Sequence, residues 1–555
     1  MAKVRGGQAV GKAAAAAATP KGAKLVFIGF MGAGKSMAAR RAGEQLGEEA
    51  VDSDSLLEDE LGEPIASFFD RHGEAAFRER EEALVLKLLE HRGTRVIALG
   101  GGAVESVRVR ERLAEHLCVY LDVDPELAWK RSQESGRPLA RRRDQFLALR
   151  GRRVQLYESV ARALLPAADT LEQALPAVAK LAERGVPAST RLLWARTETG
   201  GYPVYVGPGV LGAAGSLWPD ESRCFIVADE RVQSLHGERL ATSLSERASV
   251  PTTVTVPAGE RSKTLAEAER VMSALARAGM ERSDTLVALG GGVVGDLAGF
   301  CAATYQRGVR LAQVPTTLVA QVDSAYGGKT GVDLADAKNY VGAFHQPALV
   351  LADPTLLSTL PEEELRAGFS EVLKTALIAG GSLWQRVQEL EPLGQEFARE
   401  GRPLIETIEG CVQTKLAVVG RDELDLGERA SLNLGHTFAH ALEAATGYRA
   451  YRHGEAVALG LLVTLRLSEH ELGLDAFVRE RADELLRRHG LPTSFAGPAT
   501  EKLLDHAALD KKRRGGRLSL VLLHAPGDVA IGCEATEQAL RDAIEELRAD
   551  RAAAR

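Results

Sequence analysis

Five cysteines in 555 residues, Cys118, Cys224, Cys301, Cys411 and Cys533, share no metal-ligand or disulfide-framework spacing, so neither a cysteine zinc module nor a disulfide scaffold is encoded. Their scatter suits a reducing, cytoplasmic setting. No apolar run is long enough to cross a bilayer, and no membrane association is expected. A dominant charge is missing too: 69 basic against 76 acidic residues leave a formal net charge of -7, which does not mark the chain as a binder of polyanions. The basic runs RRR (141–143) and KKRR (511–514) stand without interleaved aromatics or a binding module, so no nucleic-acid partner is expected: the first reads as a solvated helix face, and Lys511 or Lys512 of the second as part of an anion-binding rim. The start of the chain lacks the apolar core of a signal peptide. An alanine run at 13–18 lies between Lys12 and Thr19-Pro20, and residues 1–21 are expected to form a flexible tail.

What is present is length and alternation. A chain of this size exceeds one hydrophobic core and implies about two to four domains. Apolar runs at 24–30, 95–99 and 117–123 read as buried strands, separated by helical periodicity at 35–47 and 74–91. That alternation predicts a parallel sheet covered on both faces. A closing helix and a linker are expected across 160–199. A second α/β series begins near YPVYVG (202–207) and continues through RCFIVAD (223–229), PTTVTV (251–256), TLVAL (285–289) and VRLAQV (309–314). Beyond about residue 355 the pattern turns helical, with only RLSLVLL (517–523) reading clearly as strand.

Two near-identical strings, ALGGGAV at 98–104 and ALGGGVV at 288–294, raise the question of an internal duplication. Their surroundings differ. The first has a glycine-lysine loop upstream, whereas Gly295-Asp296 follows the second at once, so two independent sites are expected.

GFMGAGKS (29–36) fits G-x-x-x-x-G-K-[ST] between a strand and a helix, the context in which backbone N–H groups cradle nucleotide phosphates. Gly32 and Gly34 would form the cradle, Lys35 would reach the β/γ-phosphates and Ser36 would ligate Mg²⁺ of bound ATP. With VDSD (51–54), GEAAFRERE (73–81), the first triplet and SGRPLARRRD (135–144), this part resembles shikimate kinase. The resemblance implies that Asp54 holds the acceptor hydroxyls, with Asp52 near Mg²⁺ and the transferred phosphate. Arg78 and Arg153 would bind the shikimate carboxylate, Gly100, Gly101 and Gly102 would lie against the ring, and Arg137 would close over the phosphate as part of a lid.

In the second part, GPGVLG (207–212), with Asp229 downstream, and GGGVVGD (290–296) are both candidates for a nucleotide pyrophosphate cradle, and periodicity does not choose between them. HTFAH puts His436 and His440 one helical turn apart, with His453, Glu371 and Glu443 as further candidate metal donors.

A longer ordered series covers residues 200–525: GERSKTL (259–265), GGGVVGDLAGFCAATYQRG (290–308), VPTTLVAQVDSAYGGKTGVD (314–333), AKNYVGAFHQP (337–347), GFSEVLKTALI (368–378), LNLGHTFAHALE (432–443) and HGEAVALG (453–460). It resembles 3-dehydroquinate synthase. The resemblance implies NAD at Asp229, Glu260, Lys263, Gly291, Gly292, Asp296, Thr316, Thr317 and Lys338, and GPGVLG becomes an early turn. It also implies Zn²⁺ or Co²⁺ on Glu371, His436 and His453, which leaves His440 as a catalytic histidine. The implied substrate is 3-deoxy-D-arabino-heptulosonate 7-phosphate. Lys329, Asn339 and His440 would surround its phosphate, and Lys374, Lys415 and Asn433 its hydroxyls and carboxylate. Asp323, Arg429 and Lys512 would complete the site, and Arg307 would reach in from a neighbouring subunit of a homodimer.

The expected fold class is therefore α/β throughout: a P-loop kinase-type parallel-sheet domain (22–185), a linker (186–199), an α/β NAD-binding domain (200–354) and a mainly helical metal and substrate domain (355–555). The expected function is bifunctional, a shikimate kinase joined to a 3-dehydroquinate synthase. The alternative is a synthase carrying an inactive kinase-like domain for nucleotide sensing or assembly. That reading predicts loss of Lys35, Asp54, Arg78 or Arg137, and all four are present.

Overall fold

The computed structural model describes residues 23–548 except 92, 135–141, 199, 248, 335–336, 395–400 and 514–518. The expected tail and Arg137 lie outside the described residues, as does the side chain of Lys512. The chain divides into two compact units, one comprising residues up to Glu221 with Arg239–Ser249, the other Ser222–Glu238 with the rest from Val250.

In the first unit, β1 (Leu25–Ile28), β2 (Ala50–Asp52), β3 (Val96–Ala98), β4 (Leu117–Leu121), β5 (Ala163–Leu165), β6 (Arg191–Thr197) and β7 (Gly200–Val206) run in the order β2-β3-β1-β4-β5-β6-β7. All neighbours are parallel except β6 and β7. Every residue of β1, β3 and β4 is buried, as expected for strands covered by helices on both faces. The segment 186–199 expected as a linker is different: it contains β6, where Leu192, Leu193, Trp194 and Ala195 are buried. YPVYVG, expected to open the second series, lies in β7 and pairs antiparallel with β6. The short connection explains both, since adjacent strands joined by two residues can only form a hairpin.

The second unit contains β8 (Cys224–Asp229), β9 (Thr252–Val256), β10 (Thr285–Gly290), β11 (Arg310–Pro315), the hairpin β12 (Lys329–Leu334) with β13 (Ala337–Phe344), and β14 (Leu349–Ala352). The parallel sheet has the order β14-β11-β10-β8-β9. The helix Leu265–Arg277 shows why the layers adhere: Ala268, Val271 and Leu275 make one buried stripe, and Thr264 caps its start by accepting from the Glu267 N–H. Phe225, Val227, Leu286, Ala288 and Leu297 form the core beneath.

After β14 the chain is helical, as its periodicity predicts. The segments Glu362–Ala379, Arg402–Arg421, His436–Ala445 and His453–Leu472 are followed by three more helices and the hairpin β15 (Leu520–Ala525) with β16 (Asp528–Cys533). Two glycines set the spacing of the central helices. A Cβ on Gly454 would stand 2.0 Å from the Ala367 carbonyl oxygen, and one on Gly460 the same distance from that of Gly435. These contacts bring Glu362–Ala379 and His436–Ala445 against His453–Leu472 at backbone distance. Gly454→Ala should therefore open the packing and lower stability by about 1–3 kcal/mol, as core overpacking does. Thermal melting and metal content of the variant test this, and both should fall together.

Candidate active sites

In the first unit the sheet delivers its loops to one end. β1 leads into the phosphate loop, where Gly32 and Gly34 adopt left-handed conformations and Gly34 starts the helix Lys35–Leu46. Lys35 is buried and its Nζ donates to the Phe30 carbonyl at 3.1 Å, so the ammonium is held over the loop, while Ser36 stays exposed. β2 ends in Asp52, whose Oδ1 accepts from the Asp54 N–H at 2.9 Å and caps the helix Ser53–Leu61. β3 ends in the first glycine triplet. The Gly100 N–H donates to Ser53 Oγ at 2.8 Å, and Tyr157 donates to the Gly101 carbonyl at 2.5 Å.

The triplet is glycine because functional side chains lie on it. A Cβ on Gly100 would meet Asp54 Oδ1 at 2.4 Å, and one on Gly102 would overlap the Arg78 guanidinium, 1.8 Å from Nη1. Arg78 is fixed by Glu81, Nη1 to Oε2 2.5 Å, and lies 3.5 Å from Glu105. Arg153 arrives from the helix Arg143–Val160 almost fully buried and pairs with Glu105 at 2.9 Å. Burial pushes the Glu81 carboxyl above its ordinary value even against Arg78. Asp54, Arg78, Arg153 and the triplet thus converge. Glu81 and Glu105 were not anticipated, although Glu81 stands at i+3 from Arg78, a spacing that places both on one helix face.

Gly102→Ala should leave the fold intact, because the atom it strikes is the tip of a flexible side chain. It should displace Arg78 and lower the affinity of this site for a small carboxylate ligand by about 10- to 100-fold, the cost of a charge-assisted hydrogen-bond pair. Calorimetric titration with the acid the kinase resemblance implies measures the loss.

In the second unit, the second triplet closes β10 and starts the helix Gly292–Thr304, a phosphate-cradle geometry unlike the first site's loop. A cavity of about 1370 Å³ opens there. Its lining includes Asp229, Glu260, Lys263, Gly291, Gly292, Asp296, Thr316, Thr317, Asp323, Lys338 and Asn339, and on the helical side Glu371, His440, Glu443 and His453. Lys263 is buried between Asp296, at 2.5 Å, and Asn339 Oδ1. Burial opposes its charge, yet Asp296 holds it above the ordinary lysine value.

At the helical wall, Glu371, His436 and His453 bring one donor atom each within 4.8 Å of one another. The Nε2 atoms of His436 and His453 lie 3.7 and 3.4 Å from Glu371 Oε1. Ligands about 2.1 Å from a tetrahedral ion stand roughly 3.4 Å apart, so the spacing suits zinc or a similar ion. The outer contacts agree. Leu434 carbonyl faces His436 Nδ1 at 3.2 Å and Glu443 faces His453 Nδ1 at 3.4 Å, which turns both Nε2 lone pairs inward. Burial, then Lys374, push His436 down to about 3, so it is neutral. His453 is pushed up to about 10 against its burial by Glu371 and Glu443, and Glu371 is held well below the ordinary range, chiefly by Lys374 against burial. The directions for His453 and Glu371 favour positive charge between them, while the lowered His436 keeps its ring nitrogen free to donate a lone pair. His440 is exposed, its ring 5.4 Å from His436, and stands beside this trio.

Of the remaining candidates, Asp323 lines the cavity, whereas Lys374, Lys415, Arg429, Asn433 and Lys329 are not part of its lining. Lys374 pairs with Glu371 Oε2 at 2.5 Å and lies 3.8 Å from Asp323, to which Lys415 donates at 2.9 Å. Arg429 is buried and donates to the Glu423 and Gly327 carbonyls, and Asn433 is half-buried three residues before His436. Lys329 is exposed and pairs with Asp425 at 2.6 Å. Arg307 is exposed, has φ 66°, and is not part of the cavity lining.

One unit thus carries a P-loop and the other a glutamate-histidine cluster able to hold a metal ion beside a glycine-lined cavity, the features of an enzyme. Residues 31–182 match the shikimate kinase family model, 253–367 the N-terminal and 368–513 the C-terminal 3-dehydroquinate synthase models. A 3-dehydroquinate synthase of Halorhodospira halophila is 44% identical over 360 residues, 64% of this chain and 99% of the relative. One of Symbiobacterium thermophilum is 42% identical over 353 residues, covering 62% and 98%. A 2-epi-5-epi-valiolone synthase of Streptomyces hygroscopicus subsp. jinggangensis 5008, solved with NAD⁺ and Zn²⁺ bound, superposes with a TM-score of 0.58 at 28% identity, over 63% of this chain and 97% of that one. The chain belongs to the 3-dehydroquinate synthase family and carries a shikimate kinase domain fused ahead of it. Among the described residues no helix is long and apolar enough to cross a membrane.

Proposed function

We propose that the chain is bifunctional. Residues 22–185 phosphorylate shikimate to shikimate 3-phosphate with Mg²⁺-ATP, and residues 200–555 convert 3-deoxy-D-arabino-heptulosonate 7-phosphate to 3-dehydroquinate and phosphate, with NAD bound by 200–354 and the metal by 355–555. The observation that carries the synthase assignment is the convergence of Glu371, His436 and His453 on one point beside the cavity. The kinase assignment rests on Asp54 and Arg78 folded against the first triplet, at the same end of the sheet as Lys35.

In the kinase, Lys35 and the loop N–H groups hold phosphate, Ser36 ligates Mg²⁺, and Asp54 orients the acceptor hydroxyl. Asp52 uses Oδ1 as a helix cap, which leaves Oδ2 for the metal side. Arg78 and Arg153 hold the acid, and Arg137 closes the site.

In the synthase, the bound groups would supply a reversible hydride acceptor and a Lewis acid at the reacting hydroxyl. The chain's own residues do the rest. Lys263, Asp296 and the second triplet anchor the nucleotide, and Lys338 sits 3.4 Å from Glu260 at the same rim. Lys374 occupies Glu371 Oε2 and so leaves Oε1 to the ion. Lys374 and Lys415, with Asp323 between them, hold the substrate carboxylate and hydroxyls, while His440 passes a proton to or from the substrate phosphate. Arg307, exposed and outside the cavity, acts from the partner subunit of a homodimer working in the cytoplasm.

Two assays on the purified full-length protein test this reading: shikimate-dependent formation of shikimate 3-phosphate, and NAD-dependent release of phosphate from the heptulosonate phosphate. Both are expected. Phosphate release without the first product would leave a synthase with an inactive kinase-like domain.

A further inference from the structure

The shikimate kinase reading, on which this inference rests, assigns Arg78 and Arg153 to the carboxylate of the acceptor. Both guanidinium groups are already engaged by one atom of the protein. Glu105 Oε2 lies 2.9 Å from Arg153 Nη2 and 3.5 Å from Arg78 Nη2. Among the described residues Glu105 is the one ion-pair partner of Arg153, whose side chain is 2% exposed. Glu81 holds Arg78 through its other nitrogen, and Arg78 Nη2, which the exposed Glu74 also meets at 3.3 Å, faces the Glu105 carboxylate together with Arg153 Nη2.

We propose that Glu105 is an internal stand-in for the substrate carboxylate, seated on the arginine pair when the site is empty and displaced when the acid binds. Three features support it. A nearly buried guanidinium without an anion is costly, so an empty site gains from such an occupant. Glu105 sits at the end of the short turn Ala103–Glu105 that directly follows the triplet, with its side chain 35% exposed, so it can swing outward without disturbing the core. Arg152 also stabilises its charge and is a partner for it after displacement. Burial works to raise the Glu105 carboxyl, but the arginines hold it below its ordinary value, so it is an anion when it competes. The consequence is a site that keeps its arginine pair aligned at the expense of affinity, and that admits only ligands able to replace a carboxylate.

The test is calorimetric titration of the full-length protein and its Glu105→Gln variant with shikimate and, separately, with its methyl ester. The stand-in predicts that the variant binds shikimate about three- to fivefold more tightly, the size of a half-exposed ion pair. The methyl ester, which cannot replace the carboxylate, should show no gain. Glu105→Asp, which pulls the carboxylate back by one methylene, should shift affinity the same way by less. Equal or weaker binding of shikimate by both variants, with the native chain binding normally, overturns the inference. So does an equal gain for acid and ester, which would report a general loosening of the loop. Failure of the native chain to bind shikimate at all would instead overturn the kinase reading beneath it.

Discussion

Glu371→Gln should abolish phosphate release from the heptulosonate phosphate, by about 10³-fold or more, since a Lewis acid at a reacting oxygen is worth several kcal/mol. The glutamine keeps the shape but not the charge. Glu371 is the only acid of the three donors, it is 1% exposed, and its second oxygen balances Lys374, itself 2% exposed. The substitution therefore removes a ligand and strands a buried ammonium. Breaking such a pair costs about 3–5 kcal/mol. Metal content by atomic absorption should fall to background, and the melting temperature of the second unit should drop. Shikimate 3-phosphate formation in the same sample is the internal control, because Lys35 and its neighbours belong to the other unit. A variant that keeps its metal and its phosphate release within tenfold of the native chain would mean the ion sits elsewhere.

Lys35→Met is expected to act in the mirror sense. Its Nζ is held over the phosphate loop by the Phe30 carbonyl, and nothing else in that loop carries a positive charge. Losing one charge placed at a transferring phosphate costs about 10²- to 10³-fold. Formation of shikimate 3-phosphate should fall by that factor, while phosphate release from the heptulosonate phosphate continues. The methionine fills the same buried volume, so melting should move little. Retained kinase turnover would mean that the loop binds phosphate without its lysine, against the electrostatic argument made for it.

Much of this is legible in the sequence. The P-loop is contiguous, and its chemistry follows from eight residues between a strand and a helix. The strands β1, β3, β4, β8, β10 and β11 announce themselves because both faces are buried, which leaves largely apolar runs, and the edge strand β9 does so by alternation, Val254 and Val256 being buried between threonines. The hairpin β12–β13 does not: its strands carry Lys329, Asp333, Lys338 and Asn339 and two glycines, the composition of a turn. β6 was hidden for the opposite reason. It is an apolar strand whose neighbours, GVPAST before it and TETGG after it, look like linker, and only its pairing with β5 and β7 marks it as sheet.

The two glycine triplets separate the levels most clearly. Their local strings already distinguish them, since one follows a glycine-lysine loop and the other runs straight into Gly295-Asp296. Local spacing also proposes histidine pairs, and at i, i+4 it favours His436 with His440. The geometry instead brings His436 to His453 and to Glu371, 65 residues upstream. The reason is packing. Gly454 and Gly460 let three helices meet at backbone contact, and that approach, not sequence distance, chooses which nitrogen faces the carboxylate. Glu105 belongs to the same category. As a residue after a glycine turn it is unremarkable in the sequence, and it becomes part of a site because Arg78 and Arg153, from two different helices, both reach its carboxylate.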